Sequence, residues 1–309
     1  MRIVFMGTPD FAVPTLRALY ESGHTVEAVF TQPDKPKGRG YKLMPPPVKE
    51  LALEHGTAVY QPQSLKKDAD EYIRILEDIE PDCIVVAAYG KILPKAVLDI
   101  PEYGCVNVHG SLLPKYRGAA PIQWSVLDGE KETGITTMLM AEGLDTGDIL
   151  LQRATAIGEN ETAAELFDRL ADMGAEVLLE TLERLQEGSI EPIPQDEAAA
   201  SYAKMLDKSM CDIDFSQSAF SVHKKICGLS DWPCAVTVLF GKRLKVYRSQ
   251  IVKGVSGGEA GTTLDDKLTV ACGDGAVRLT EVQAEGSKRM RAEDYLRGKP
   301  VPAGTKLGA

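Results

Sequence analysis

No Cys-x-x-Cys pair occurs in this chain; Cys83, Cys105, Cys211, Cys227, Cys234 and Cys272 stand apart from one another. The spacing fits neither a zinc site nor a disulfide framework, so reduced, mostly buried thiols and no metal are expected. A long apolar run is also lacking. Ile3-Val4-Phe5-Met6 is a short strand-like stretch closed by Gly7, too short for a signal peptide or a membrane span, and points to a cytoplasmic protein. Histidine is scarce, with only His24, His55, His109 and His223. There is no internal repeat and no low-complexity tract. The turn Gly7-Thr8-Pro9-Asp10-Phe11-Ala12 stands between a strand and a helix, where a dinucleotide fingerprint would be, but lacks the G-x-G-x-x-G glycines. Thr8-Pro9 would crowd a pyrophosphate, which leaves an NAD-dependent oxidoreductase as a weak competitor.

Positive charge is in deficit, with a net charge of −10, which taken alone argues against a nucleic-acid partner. Its distribution changes that inference. From Lys208 to the end there are 16 Lys and Arg against 11 Asp and Glu, whereas the preceding part has 19 against 34. An acidic body therefore carries a basic C-terminal part, although a surplus of this size also occurs as ordinary surface variation.

With 309 residues and the apolar and charged fractions of an ordinary globular protein, two domains are expected. The first part alternates strand and helix patterns: strands at Arg2–Met6, Val26–Thr31, Val59–Gln61, Cys83–Ala88 and Cys105–His109, with helices at Phe11–Ser22, Val48–His55 and Ala69–Ile79 between them. Such alternation implies a doubly wound, largely parallel, Rossmann-like α/β sheet. Thr133–Met140 and Ile149–Ala156 read as two further strands, and Thr162–Glu187 as an amphipathic helix opened by a Thr162-x-x-Glu165 capping box. The expected division is a catalytic domain over residues 1–187, a linker over 188–206 marked by Pro192 and Pro194, and a small β-barrel domain over 207–309. In this last part Cys234–Leu239, Leu244–Gln250, Leu268–Ala271 and Ala276–Val282 are strand-like runs separated by Gly-rich turns.

Gln32 to Pro47 is dense in Gly and Pro and reads as an exposed loop without helix or strand. Lys35, Lys37, Arg39 and Lys42 make it basic, with Asp34 its one acid. A loop this long in a compact domain is usually functional, the alternative being a solvated connection.

The most informative run is Cys105-Val106-Asn107-Val108-His109-Gly110, followed downstream by Gly143-Leu144-Asp145-Thr146-Gly147-Asp148. Strand alternation turns Asn107 and His109 to one face and Val106 and Val108 to the other. Gly110 ends the strand, and the carboxyl end of a strand in an open α/β sheet is where ligands bind. Asp145 lies among turn formers and could equally serve the turn. An amide, an imidazole and a carboxylate together suit acyl transfer to an amine: the imidazole receives a proton near neutral pH, the amide stabilises the developing oxyanion, and the carboxylate favours the imidazolium. No nucleophilic Ser or Cys is required.

Asn107-x-His109-x-Ser111-Leu112-Leu113-Pro114-x-x-Arg117-Gly118, with Asp145 in its Gly-Leu-Asp-Thr-Gly-Asp turn, resembles the tetrahydrofolate-dependent formyltransferases. Gly7 to Ala12, Thr31 to Asp34, Gly38-Arg39-Gly40, Lys42 to Pro45, Ala87-Ala88-Tyr89-Gly90-x-Ile92-Leu93-Pro94 and Gly118 to Gln123 are similar to the members that formylate methionyl-tRNA; Tyr202-Ala203 and Trp232-Pro233 match more weakly. The resemblance spans nearly the whole chain. It implies 10-formyltetrahydrofolate as donor, methionyl-initiator tRNA as acceptor, no metal, and a monomer. It places Asn107, His109 and Asp145 in the catalytic positions, Ser111, Leu112, Leu113, Pro114, Tyr89 and Gly90 against the folate, and Lys35, Lys37, Arg39 and Lys42 against the tRNA. It also makes the C-terminal part an OB-like tRNA-binding domain. The alternatives are a formyltransferase acting on glycinamide ribonucleotide or an amino sugar nucleotide, which has no evident use for the basic loop, and a non-enzymatic tRNA-binding protein, which has none for the polar trio.

Overall fold

The structure, a computed structural model, describes residues 1–37, 42–65, 69–255 and 257–308. The chain gathers into two compact units that interleave in sequence. One is formed by Met1–Pro121, Thr133–Thr155 and Phe167–Ala203, the other by Ile122–Glu132, Ala156–Leu166 and Lys204–Ala309.

In chain order the elements up to Ala203 are β1 (Arg2–Gly7), α1 (Val13–Glu21), β2 (Thr25–Phe30), β3 (Lys35–Lys37), β4 (Lys42–Met44), α2 (Pro47–Glu54), β5 (Ala58–Tyr60) and α3 (Ala69–Ile79). Then come β6 (Cys83–Ala87), α4 (Lys95–Leu98), β7 (Cys105–His109), β8 (Arg117–Gly118), α5 (Pro121–Leu127), β9 (Glu132–Leu139), β10 (Ile149–Ala156), α6 (Ala163–Glu187) and β11 (Tyr202–Ala203). The main sheet has the order β10-β9-β7-β6-β1-β2-β5. Strands β5, β2, β1, β6 and β7 are parallel, and β9 runs antiparallel to β7. The doubly wound expectation is met, because strands as apolar as Ile3–Met6 and Cys83–Ala87 need cover on both faces and crossover helices supply it. From β1 the chain builds outward through β2 and β5, then returns to place β6 on the other side of β1. This reversal is a topological switch point, which opens a crevice beyond the carboxyl ends of β1 and β6.

The long helix α6 begins at the expected capping box: the Thr162 backbone N–H donates to Glu165 Oε2 at 3.0 Å and the Glu165 N–H to Thr162 Oγ1 at 3.3 Å. The basic stretch departs from expectation. Instead of a structureless loop, β3 and β4 pair antiparallel, with Lys35 opposite Met44 and Pro36 opposite Leu43. An edge strand tolerates proline where the missing N–H would point away from the partner strand, as at Pro36 opposite Leu43. Arg39 lies outside the described residues, as do the side chains of Lys37 and Lys42.

The second unit adds α7 (Ala219–Gly228), β12 (Ala235–Leu239), β13 (Lys242–Val252), β14 (Thr269–Ala271), β15 (Ala276–Ala284), β16 (Met290–Arg291) and α8 (Ala292–Gly298). Its strands are antiparallel in the order β12-β13-β15-β14, with β16 on β15. Isolated bridges carry the ring round: Thr263 to Val270 of β14, Thr262 to Lys306, and Leu307 to Leu239 of β12. The result is a small barrel, as the strand spacing predicts. Strand β13 runs longer than its apolar run and shifts register between Val246 and Ser249, while α7 and α8 were not legible in the run of strands. Among the described residues, no helix is long and apolar enough to cross a membrane. All six cysteines are buried and unpaired.

Candidate active site

Parallel pairing sets Gly7 of β1 beside Ala87 of β6, and Ala87 beside Val108 of β7, so the three strands end at one level. His109 and the turns after Gly7 and Ala87 all emerge at this carboxyl edge. Gly7 owes its place to packing: a Cβ there would lie 2.7 Å from a Phe5 ring carbon and 3.0 Å from the Ala87 carbonyl oxygen. The turn is a close strand-to-helix connection that requires glycine for packing.

On β7, Val108 faces α6, where it meets Gly174. Cys105 belongs to the opposite face, in the apolar cluster with Leu76 of α3 and Val97 of α4. Asn107 and His109 share the Cys105 face and are 8% and 5% exposed. Among the described residues, no hydrogen bond involves the Asn107 side chain; its amide keeps its bonding capacity for a ligand.

His109 is fixed through its ring. Nε2–H donates to the Tyr116 carbonyl at 2.9 Å, which assigns the neutral tautomer and leaves the Nδ1 lone pair unprotonated. Asp145 Oδ2 stands 3.8 Å from Nδ1. Burial pushes the imidazole pKa down, against the raising effects of the Asp145 carboxylate and the Tyr116 carbonyl, and the net shift is downward. At neutral pH the ring is therefore an uncharged base with a carboxylate beside the atom that takes the proton.

The carboxylate has its own support. Gly118 N–H donates to Asp145 Oδ2 at 2.8 Å. Asp145 has a left-handed backbone, with φ of 52°, a conformation that aspartate tolerates better than most residues. Two residues on, a Cβ at Gly147 would lie 1.7 Å from the Leu139 carbonyl oxygen, so this turn closes over β9 only with glycine there. Arg117, fully buried, forks onto Gln195 and Glu197, and the Gln195 amide donates to the carbonyls of Asp145 and Gly147.

The segment after His109 is built by its own bonds. Ser111 Oγ–H donates to the Lys115 carbonyl at 2.7 Å, and Thr136 Oγ1 on β9 accepts from the Leu113 N–H at 3.1 Å. Ser111 and Leu113 are buried, Leu113 with Met138 and Ile149, whereas Leu112 and Pro114 are partly exposed. Tyr89 is a core residue whose ring packs in the cluster beneath the edge. Its carbonyl accepts from Gln32 Nε2 at 2.9 Å, and the same amide nitrogen lies 2.6 Å from where a Cβ of Gly90, with φ of 71°, would stand, so the close approach of Gln32 to this turn requires glycine there. Lys35 Nζ donates to Gln32 Oε1 at 2.7 Å, and Lys49 and Gln61 both bind Asp34. The foot of the β3–β4 ribbon is thereby tied to the Gly90 turn. The sequence patterns point to His109, Asn107 and Asp145, but not to Arg117 with Gln195 and Glu197; no local signal marks a glutamine in a proline-rich stretch 50 residues from its partner.

Among known proteins, the chain matches the formyl transferase family over residues 1–182 and the formyl transferase C-terminal domain over residues 205–300. A methionyl-tRNA formyltransferase from Caldanaerobacter subterraneus subsp. tengcongensis is 52% identical over 309 residues, covering 99% of this chain and all of the relative. Among solved structures, the fold is similar to that of WlaRD, a sugar 3N-formyl transferase determined in the presence of dTDP and 5-N-formyl-THF, with a TM-score of 0.69 at 18% identity over 93% of this chain and 99% of that one. It is also similar to that of HypX from Aquifex aeolicus in complex with tetrahydrofolic acid, with a TM-score of 0.63 at 19% identity over 96% of this chain and 47% of that one.

Proposed function

This chain belongs to the formyl transferase family, and from that membership we propose that it transfers a formyl group from 10-formyltetrahydrofolate to the α-amine of methionyl-initiator tRNA. One observation carries the chemical part of the reading. The neutral Nδ1 of His109 faces a carboxylate at 3.8 Å, beside a buried amide that is free to bind.

The folate supplies a formyl carbon on a nitrogen that can leave as an amine. As the methionyl amine attacks that carbon, charge develops on the formyl oxygen, and the Asn107 amide N–H is the donor that meets it. The attacking nitrogen must lose a proton, and His109 Nδ1 is the lone pair placed to take it. Asp145 offsets the positive charge that results on the ring, and Tyr116 holds the ring by its other nitrogen. When the carbon–nitrogen bond to the folate breaks, the departing nitrogen needs a proton, and the imidazolium returns the one it took. Proton count and charge balance, and no covalent enzyme intermediate is needed.

The tRNA part of the reading rests on full-length identity and on charge. The curated relative at 52% identity is a methionyl-tRNA formyltransferase, whereas the sugar N-formyl transferase shares the fold at 18%. Lys242, Arg243 and Lys245 stand exposed on β13, within the C-terminal stretch that carries the surplus of positive charge, a surface suited to phosphates. A formyltransferase for a small amine would have no use for it.

The donor assignment is tested by incubating the purified protein and methionyl-tRNA with 10-formyl- or 5-formyltetrahydrofolate carrying a labelled formyl group. Label on the methionine amine from the 10-formyl donor alone supports the reading, and equal transfer from the 5-formyl compound would overturn it.

A further inference from the structure

We propose that Gln195 is a positioning residue for formyl transfer, holding the Asp145 turn so that its carboxylate faces His109; this rests on the reading of the site given above. Gln195 follows α6 in the stretch whose composition reads as a linker, yet its side chain uses its whole hydrogen-bonding capacity on the site. Its amide nitrogen donates to the carbonyls of Asp145 at 2.9 Å and Gly147 at 2.7 Å. Its amide oxygen accepts from Arg117 Nε at 3.0 Å and Nη2 at 2.9 Å. With two donors and two lone pairs engaged, its orientation is fully specified.

The groups on either side are themselves held. Arg117 presents its other edge to Glu197, with Nη1 to Oε2 at 2.9 Å and Nη2 to Oε1 at 2.7 Å, and its backbone N–H donates to the Ser201 carbonyl at 2.8 Å. Two residues before Gln195, Ile193 exchanges backbone hydrogen bonds of 2.8 and 2.9 Å with Ile149 of β10. Asp145 is thus gripped from both ends by neighbouring residues. The Gly118 N–H binds its carboxylate, and Arg117 reaches its carbonyl through Gln195. A non-glycine residue at φ of 52° persists where the surroundings over-determine it, and these bonds supply that determination. Loss of the two donations would free the turn to relax and carry the carboxylate away from Nδ1.

The test compares Gln195→Met, which removes donors and acceptor at similar size, with Gln195→Glu, which still accepts from Arg117 but cannot donate to the turn. Each is made in the full chain, alone and together with Asp145→Asn, and formyl transfer to methionyl-tRNA is followed against pH. Both single variants should lose at least about tenfold in kcat, with KM for folate and tRNA nearly unchanged, as expected when an interaction acts in the transition state. In Gln195→Met the acid limb should move to lower pH, because a withdrawn carboxylate raises the proton affinity of His109 less. In the Asp145→Asn background the same changes should cost less than about twofold, since a residue acting through Asp145 has nothing left to position. Full activity in the single variants, or equal losses in both backgrounds, would make Gln195 a structural latch only and overturn the proposal. Should Gln195→Met not fold, Gln195→Glu decides by the same criteria. The wild-type enzyme serves as the control: if it transfers no formyl group, the reading of the site fails, whereas transfer by wild type and variants alike removes only the role of Gln195.

Discussion

Replacing Asp145 with asparagine removes one charge at one place. The carboxylate is 3.8 Å from His109 Nδ1, and both side chains are largely shielded from solvent. Two unit charges about 4 Å apart interact by about 4 kcal/mol at an effective dielectric of roughly 20. That attraction exists only while the imidazole carries the amine's proton, so its loss falls on the transition state. At about 1.4 kcal/mol per tenfold, the upper limit is roughly a thousandfold in rate, and residual screening by water sets the expectation at about 10² to 10³. The asparagine carbonyl can still accept from the Gly118 N–H, so the turn should hold and the melting temperature should change little. Without the carboxylate, which raises the His109 pKa, the acid limb of kcat/KM should shift to lower pH. The assay is the initial rate of formyl transfer against pH, with thermal melting as a fold control. A folded Asp145→Asn enzyme within about threefold of wild type at neutral pH would refute the assignment of the carboxylate.

Asn107→Ala should lower kcat by about 10²- to 10³-fold, the usual loss for one oxyanion donor, and near-normal turnover would remove that role. Arg39→Ala, at a position outside the described residues, should reduce formylation of methionyl-initiator tRNA at least about tenfold while folate binding is unchanged, the loss of one charge-assisted contact. Normal formylation would leave the basic stretch from Gln32 to Pro47 a solvated connection. Arg243→Ala with Lys245→Ala should weaken tRNA binding and flatten its salt dependence by about one unit of slope per lost phosphate contact; an unchanged slope would exclude β13 from the interface. Burial lowers the pKa of His223 as well as that of His109, so below the ordinary imidazole value of about 6.5 the unfolded chain binds protons that the folded one resists. Stability should therefore be complete above about pH 6.5 and fall as pH drops from there toward the folded-state values. His223→Gln, which cannot be charged, should lose less melting temperature than wild type between about pH 7.5 and about pH 5.5, and an equal loss would contradict the cause.

The alternation of Cys105 to His109 was legible because a strand with a period of two must send Asn107 and His109 to one face, whatever surrounds it. The parallel order followed from apolar strands spaced by helices, and the α6 capping box from two residue types three apart. What escaped depends on distant parts of the chain. Pro36 argued against a strand, yet a two-stranded ribbon does not need its N–H. Helix α7 buries Ala219, Val222, Ile226 and Cys227 behind a Ser218 cap, but its ten residues include His223 and Lys224 on the buried side, which blurs the apolar period. Gln195 and Glu197 sit where composition indicates a tether; their role exists because Arg117 is buried and its guanidinium needs partners. The interleaving of the two units through Ile122–Glu132 and Ala156–Leu166 likewise leaves no mark on composition.

The most direct measurement offers the full-length protein 10-formyltetrahydrofolate with a labelled formyl group and compares three acceptors: methionyl-initiator tRNA, glycinamide ribonucleotide and a dTDP-linked amino sugar. A kcat/KM for methionyl-tRNA at least about 10³-fold above that of either small amine is expected, with an acid limb displaced below the ordinary imidazole range because burial lowers the pKa of His109. Comparable or faster transfer to a small amine would contradict it.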